Sequence, residues 1–225
     1  MAENRIIIFG GSWATGEHTI GKGVTHPGLN LYLEEAGYKV INFAQAARSS
    51  QGIYVDIETH LDEFLEDDIV LCVEPDPLSD SYYEKLEEKI IDHDGLINYV
   101  LHLRTEHYNR INSLPCKLNL IGGMSNVDPS RTHHNVVVPS WINLMTGTEI
   151  SEPPDFFALE LSKLIVNVDK RKFNNNEFEK FIEDLSILKL RDKLFNTEWF
   201  KKERYHPDRN GHKILVDELV KKLKL

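Results

Sequence analysis

Five short apolar runs divide the chain into segments of helix length. The first run, residues 5–10, reads Arg-Ile-Ile-Ile-Phe-Gly and closes on a glycine. Continuous apolar runs of this length are typical of strands that are buried on both faces of a sheet. The other four runs cover residues 39–43, 68–73, 117–122 and 135–139.

The segments between these runs have the polar and apolar spacing of helices. A helical stretch precedes the second run. We expect this helix to end at Gly37, because glycine commonly follows the last residue of a helix. Amphipathic segments follow at about residues 53–65 and 79–112. Apolar strands that alternate with helices favour a parallel sheet covered on both faces. The sequence therefore predicts an α/β fold, a three-layer α/β/α sandwich with a mostly parallel five-stranded sheet.

The last third of the chain has a different composition. Residues 140–200 are rich in Asn, Lys and Glu and contain a Pro-Pro breaker, so we expect helices and loops that elaborate the rim of the sheet. Residues 207–225 predict a closing helix, with Pro near its start and one apolar stripe. We interpret residues 1–225 as a single domain with this helical elaboration.

Composition and charge exclude several classes of partner. The chain has 225 residues, 41% of them hydrophobic, which fits one globular domain with a sizeable core. Its formal net charge is −10. Nucleic acids and anionic membranes are bound through clustered Lys and Arg, so neither is an expected partner. The oligomeric state cannot be read from these features.

Two sequence features bear on the compartment. Cys72 and Cys116 each lie in or beside an apolar run, which predicts small buried thiols rather than a disulfide framework or a cysteine zinc site. The apolar run near the N-terminus is too short for a signal peptide or a membrane span. We therefore expect a cytoplasmic protein.

The chain that follows the first predicted strand reads Gly-Gly-Ser-Trp-Ala-Thr-Gly-Glu, residues 10–17. Ligands of open parallel sheets bind beyond the carboxyl ends of the strands. Two glycines permit an unusual turn there, and Ser12 could expose its hydroxyl and its backbone N–H. The alternative is a simple turn in which Ser12 caps a helix, since Ser is a good N-cap.

Other glycine-rich motifs fit this region poorly. A nucleophile elbow, G-x-S-x-G, requires glycine where the chain has Ala14. Residues 16–23 nearly match a phosphate-binding loop but lack its final Ser or Thr and do not directly follow the strand. The glycines at positions 10, 11 and 16 also have the wrong spacing for a dinucleotide-binding fingerprint.

A histidine with a nearby carboxylate lies just before the closing helix, in Glu-Arg-Tyr-His-Pro-Asp-Arg-Asn-Gly-His, residues 203–212. Glu203 precedes His206 by three residues, so a loop could fold the carboxylate against the imidazole. A carboxylate at one ring nitrogen fixes the tautomer and leaves the other nitrogen to accept a proton from a serine.

These two segments together resemble the SGNH, or GDSL-like, hydrolase family, in a divergent form similar to bacteriophage members. Gly10-Gly11-Ser12 resembles the family's first block, with glycine in place of the usual acid. Glu203, His206 and Pro207 resemble the last block, with Glu in place of Asp. The resemblance implies the flavodoxin-like fold of the family and an acyl-enzyme mechanism. Ser12 would be the nucleophile, His206 the base and Glu203 its orienting acid, with no metal or organic cofactor.

The middle blocks of the family match less well. By spacing, the backbone N–H of Ala47, or alternatively of Gly52, would join that of Ser12 in an oxyanion hole. The third block usually supplies an Asn donor, and Pro75 replaces it here; losing one such donor can cost roughly 10²- to 10³-fold in rate. Asn126, in the loop after the fourth predicted strand, could substitute.

Two residues beside these blocks are candidate substrate contacts. Trp13 follows the nucleophile and could line the pocket, with packing in the core as its alternative. Asp76 ends the third block. The implied substrate is a small-molecule or glycan ester, and nothing in the sequence selects among such esters.

Two other functions remain open. The missing acid at position 11 and the altered third block fit a catalytically weak or inactive binding protein with the same fold. A metal enzyme built on His133, His134 and Asp128 is the other. Adjacent histidines on an extended strand point to opposite faces, which disfavours a shared metal unless a loop brings them together.

Overall fold

The computed structural model describes the predicted sheet and part of the predicted site, including Ser12 and His206. The described residues are 5–19, 23–46, 48–75, 106–111, 114–123, 127–147, 200–201 and 206–225. Their strands are β1 (Arg5–Gly10), β2 (Glu17–Thr19), β3 (Gly23–His26), β4 (Lys39–Asn42), β5 (Ile69–Val73), β6 (Lys117–Ile121), β7 (Asn135–Val138), β8 (Phe200–Lys201) and β9 (His206–Pro207).

The five predicted apolar runs form one parallel sheet, which confirms the predicted fold class. The strand order is β4-β1-β5-β6-β7, and every neighbouring pair is parallel. Counted along the sheet strands alone, this is the 2-1-3-4-5 order of flavodoxin-like folds. β1 lies in the interior of the sheet, where Ile7 pairs with Ile41 on one side and Val70 on the other.

Helices cover both faces of this sheet. They are α1 (Ser12–Thr15), α2 (Leu29–Glu35), α3 (Ser50–Thr59), α4 (Trp141–Thr146) and α5 (Arg209–Leu223), with a further helical stretch at residues 106–110. Alternate residues of β1 face opposite sides, as the strand period requires. Ile6 and Ile8 pack in the core beneath α2, α4 and α5, whereas Ile7 and Phe9 pack in the core beneath α3.

Local sequence signals set the ends of several helices. The side chain of Ser49 caps α3 by accepting a hydrogen bond from the N–H of Gly52, and Asp208 caps α5 by accepting from Gly211. Gly37, two residues past α2, has a φ of +96°, a conformation that favours glycine. The predicted closing helix is therefore confirmed as α5.

Two short antiparallel pairs were not predicted. β2 pairs with β3, and β8 pairs with β9. Strands of two to four residues carry too little apolar alternation to be recognised. Of the predicted elaboration at residues 140–200, α4 and residues 200–201 are described, and residues 148–199 lie outside the described part. Most of the predicted helical stretch at residues 79–112 also lies outside the described part, which includes only residues 106–111 of it.

Both cysteines are free thiols, and the prediction that they are buried is confirmed for Cys72 only. Cys72 is buried and Cys116 is half-buried. Burial raises the pKa of both, that of Cys116 to about 11, because the thiolate loses hydration. Within the described ranges, none of the helices combines the length and apolar character needed to cross a membrane.

Candidate active site

The two predicted halves of the site meet at the carboxyl end of β1. Ser12 is the first residue of α1, directly after the turn that leaves β1, and His206 lies on β9. The distance between Ser12 Oγ and His206 Nε2 is 2.7 Å, although 194 residues of chain separate them. Both residues are half-buried, so the pair is partly open to solvent.

A close approach of α1 to the sheet fixes the position of Ser12. A Cβ on Gly10 would lie 2.8 Å from the Cβ of Ala14 and 2.9 Å from the carbonyl oxygen of Val73, so only glycine fits. The chain therefore folds back tightly at the end of β1. The hydroxyl of Thr15 donates to the carbonyl of Ser12 at 2.8 Å and closes this single helical turn.

The side chain of Asn42, at the end of β4, holds the other end of α1. Its Nδ2 donates to the carbonyl of Ala14 at 2.9 Å and to Oδ1 of Asn30 at 2.7 Å, and its Oδ1 accepts from the N–H of Ala44 at 2.7 Å. This residue was not among the predicted site residues. Its signal is a polar amide inside an apolar strand.

The start of α5 positions His206. The side-chain oxygen of Asp208 accepts from the N–H of Gly211 at 2.9 Å, and the indole N–H of Trp141 donates to the carbonyl of Gly211 at 3.0 Å. His206 also pairs with Lys201 across the β8–β9 ladder. The imidazole is thus carried by a segment that is fixed on both sides.

His212 is the second histidine of this segment, and it packs in the interior. It is fully buried and lies edge-on to the ring of Trp141, with centroids 5.0 Å apart. A Cβ on Gly28 would lie 2.8 Å from its ring. Burial lowers the pKa of His212 to about 3, because the imidazolium would lose hydration, so the ring is neutral at physiological pH.

The predicted role of Trp13 in the pocket requires a correction. Its side chain is 4% exposed and belongs to the core beneath α2, α4 and α5, where it packs edge-on against Trp141 at 5.6 Å. The large apolar area of the indole favours this burial. The core alternative for Trp13 therefore holds.

Of the two predicted second oxyanion donors, Gly52 is described and is already engaged. It lies in the first turn of α3, where its N–H donates to Ser49 Oγ at 3.1 Å. The remaining predicted site residues, Glu203, Ala47, Asp76 and Asn126, lie outside the described residues.

Two departures from the family pattern lie next to each other. A Cβ on Gly11 would be 3.4 Å from both Cα and Cβ of Pro75, at ordinary contact distance. Gly11 has a φ of −83°, which any residue can adopt. Glycine at position 11 and proline at position 75 therefore share one part of the site, where the resemblance leads one to expect an acid and an amide.

The alternative metal site on His133, His134 and Asp128 is not assembled. Nε2 of His134 is 2.7 Å from the carbonyl of Tyr108, and Asp128 Oδ1 accepts from the hydroxyl and the N–H of Ser130. The two histidine rings are tilted by 40° to each other, with centroids 4.0 Å apart. Across the described ranges, no three His, Cys, Asp or Glu side chains form a group that could hold a metal ion.

One ion pair beside the Ser12–His206 contact was not predicted. Nε of Arg209 donates to Oε2 of Glu17 at 3.1 Å, across 192 residues of chain. Neither residue carries a sequence signal of its own. The pairing of a carboxylate and a guanidinium so far apart in sequence can be recognised only when the fold is known.

Comparison with known proteins gives structural likenesses only. No protein-family model and no curated protein matches the sequence significantly. A lipolytic protein of the G-D-S-L family from Veillonella parvula is 14% identical, with 98% of each chain covered and a TM-score of 0.49. The psychrotrophic esterase EstA from Pseudoalteromonas sp. is 13% identical, with 98% of this chain and 97% of the other covered and a TM-score of 0.46. Protein YXIM from Bacillus subtilis is 13% identical with a TM-score of 0.47, and the chain spans 57% of its length.

Proposed function

We propose that the chain is a serine hydrolase that cleaves an ester bond through an acyl-enzyme intermediate. The observation that carries this proposal is the 2.7 Å contact between Ser12 Oγ and His206 Nε2. A hydroxyl becomes a competent nucleophile when an adjacent base accepts its proton. Glu203, three residues before His206, is proposed to orient the imidazole.

The proposed reaction uses the imidazole as a proton shuttle. As Ser12 Oγ attacks the acyl carbon, its proton passes to His206 Nε2, which must therefore start as an acceptor with the ring proton on Nδ1. His206 then gives that proton to the leaving alcohol. A water molecule attacks the acyl-enzyme, loses a proton to His206, and releases the acid as Ser12 regains its hydrogen.

Negative charge on the acyl oxygen requires hydrogen-bond donors. Ser12 opens α1, and the first N–H groups of a helix have no partner within that helix. We propose the N–H of Ser12 as one donor and that of Ala47 as the second, with the side chain of Asn126 as a further candidate. Such preorganised donors commonly provide the largest single contribution to catalysis.

The proposed substrate is a small-molecule or glycan ester in the cytoplasm, with neither nucleic acid nor membrane as a partner. The net charge of −10 supports this exclusion of polyanions. The divergent, phage-like membership of the SGNH family belongs to the same proposal and is supported by the two end blocks of the sequence.

A panel of acyl esters of increasing chain length tests this function. We expect hydrolysis of at least one ester by the wild-type chain and its loss in Ser12→Ala. Ser130→Ala, which changes an exposed serine in the Asp128 loop, is the control and should retain full activity. Equal hydrolysis by wild type and Ser12→Ala would contradict the proposal.

A catalytically weak or inactive binding protein is the second candidate. The placement of Gly11 near Pro75 favours it, because glycine has no side chain and the ring of proline cannot donate a hydrogen bond, whereas the family places an acid and an amide at these positions. Failure of the whole ester panel, together with a folded wild-type protein, would favour this candidate.

A further inference from the structure

We propose that Glu17 and Arg209 act as a positioning pair that holds His206 against Ser12; this inference rests on the proposed function. Glu17 follows Ser12 by five residues, and Arg209 follows His206 by three. The 3.1 Å bond from Arg209 Nε to Glu17 Oε2 therefore joins the chain after the nucleophile to the chain after the base.

The burial of the two charges is unequal. The side chain of Glu17 is 5% exposed, whereas that of Arg209 is 61% exposed. A carboxylate removed from water must regain its lost hydration from hydrogen bonds and an opposite charge. The buried carboxylate of Glu17 therefore requires partners that compensate for its lost hydration. The guanidinium of Arg209 supplies both a hydrogen-bond donor and a positive charge.

The backbone around Glu17 leaves little room for adjustment. Gly16 joins α1 to β2 with a φ of +126°, and a Cβ there would lie 2.4 Å from the carbonyl oxygen of His26. Glu17 pairs with His26 across the β2–β3 ladder, and its carbonyl accepts from the hydroxyl of Thr25 at 3.2 Å. The carboxylate is thus presented from the β2–β3 ladder, five residues after the proposed nucleophile.

The position of Arg209 links the ion pair to the imidazole. Arg209 is the first residue of α5, and Asp208 caps that helix. Only Pro207 and Asp208 separate Arg209 from His206, and the ring of proline restricts the backbone between them. A shift of the helix start away from Glu17 would therefore displace His206 from Ser12.

A second ion pair of the same kind gives a matched control. Arg5 binds Asp68, whose side chain is 2% exposed, while that of Arg5 is 23% exposed. This pair lies at the amino end of β1, the opposite end of the strand from Ser12. It joins β1 to the residue before β5, and those two strands are already paired along their lengths.

The test compares Arg209→Gln, Arg209→Lys and Arg5→Gln for kcat, KM and thermal midpoint on one hydrolysed ester. We expect Arg209→Gln to lower kcat by about 10- to 100-fold with little change in KM, as for a small misplacement of reacting groups. Arg209→Lys keeps the charge and should recover most of kcat. Arg5→Gln should lower the thermal midpoint without lowering kcat.

A double-mutant cycle separates the pair from its individual residues. Glu17→Gln keeps the shape of the side chain and removes its charge. If the two side chains act together, Glu17→Gln combined with Arg209→Gln lowers kcat by much less than the product of the single losses. Multiplicative losses would overturn the pairing. If Arg209→Gln does not fold, Glu17→Gln and Arg209→Lys provide the same comparison.

The outcomes separate this inference from the proposed function. Wild-type kcat in Arg209→Gln, with an active parent, overturns the positioning pair and leaves the hydrolase intact. If the wild type hydrolyses no ester, the function fails, and amide hydrogen exchange of residues 12–17 and 206–212 decides the inference. Faster exchange in Arg209→Gln but not in Arg5→Gln supports the pair, and unchanged exchange overturns it.

Discussion

The two ends of the central sheet use the same side-chain types for different purposes. At the amino end, Arg5 donates from Nε to Asp68 at 2.8 Å, and the same carboxylate accepts from the N–H of Leu65. At the carboxyl end, Arg209 joins Glu17 across two loops. The first pair reinforces strands that the sheet already holds, whereas the second joins segments that the sheet leaves free.

Histidines show the same contrast. At the carboxyl end, His206 faces a hydroxyl at hydrogen-bond distance. His133 and His134 precede β7 at the amino end, where their rings lie tilted against each other and border a cavity of about 500 Å³. Loops after the strands of a parallel sheet converge on one crevice, and that crevice is where Ser12 and His206, the proposed nucleophile and base, meet.

The largest expected effect is at the carboxyl end, in His206→Gln. The amide cannot accept and return the proton of Ser12, so we expect kcat to fall by about 10⁴-fold or more. The thermal midpoint should change little, because His206 is only half-buried. Steady-state hydrolysis measures kcat, and a thermal melt measures the thermal midpoint. If His206→Gln keeps most of its kcat, the proposed catalytic role of the carboxyl end is contradicted.

A smaller effect is expected from His212, which lies beneath the site without taking part in the chemistry. The unfolded imidazole binds a proton below pH 6.5, but the folded one stays neutral down to about pH 3. The contribution of the neutral His212 ring to stability is therefore complete above pH 6.5. As the pH is lowered below that value, the contribution decreases by about 1.4 kcal/mol per pH unit. In urea unfolding between pH 6.5 and 5, the free energy of unfolding of His212→Gln should fall less steeply than that of wild type.

An equal slope in wild type and His212→Gln would show that the ring is not held neutral in the folded state. Lys213→Gln, which changes the exposed neighbour on α5, is the control and should keep the wild-type slope.

The smallest effect is expected at the amino end, in His134→Gln. This change weakens a hydrogen bond to the carbonyl of Tyr108, which costs about 1 kcal/mol of stability. Ester hydrolysis should be unchanged, with or without a metal chelator in the assay. A loss of hydrolysis in this variant would mean that the amino end contributes to the chemistry.

The sheet could be predicted from the sequence because each strand is a continuous apolar run. Burial on both faces removes the alternation of a surface strand and leaves a strong local signal, as in Ile6-Ile7-Ile8 of β1. The pairs β2–β3 and β8–β9 have no such signal, because their strands are short and lie outside the central sheet.

Only part of the candidate site could be predicted in the same way. Ser12 and His206 are marked by their neighbours, Gly10-Gly11 and Pro207. The contact of Glu17 with Arg209 joins distant segments, and a single sequence does not encode such a contact locally. For Trp13 the sequence leaves a pocket position and a core position open, because side chains along one helical turn point in different directions, and the structure packs this one in the core.

The most direct measurement is covalent labelling of the intact wild-type chain with a fluorophosphonate probe, followed by peptide mass spectrometry to locate the adduct. Ser12 should carry the label, and the reaction should disappear in Ser12→Ala and become much slower in His206→Gln. A folded wild-type protein that takes up no label between about pH 6 and 9, most of which lies above the ordinary pKa of histidine, or that carries the label on another residue, would contradict an activated Ser12.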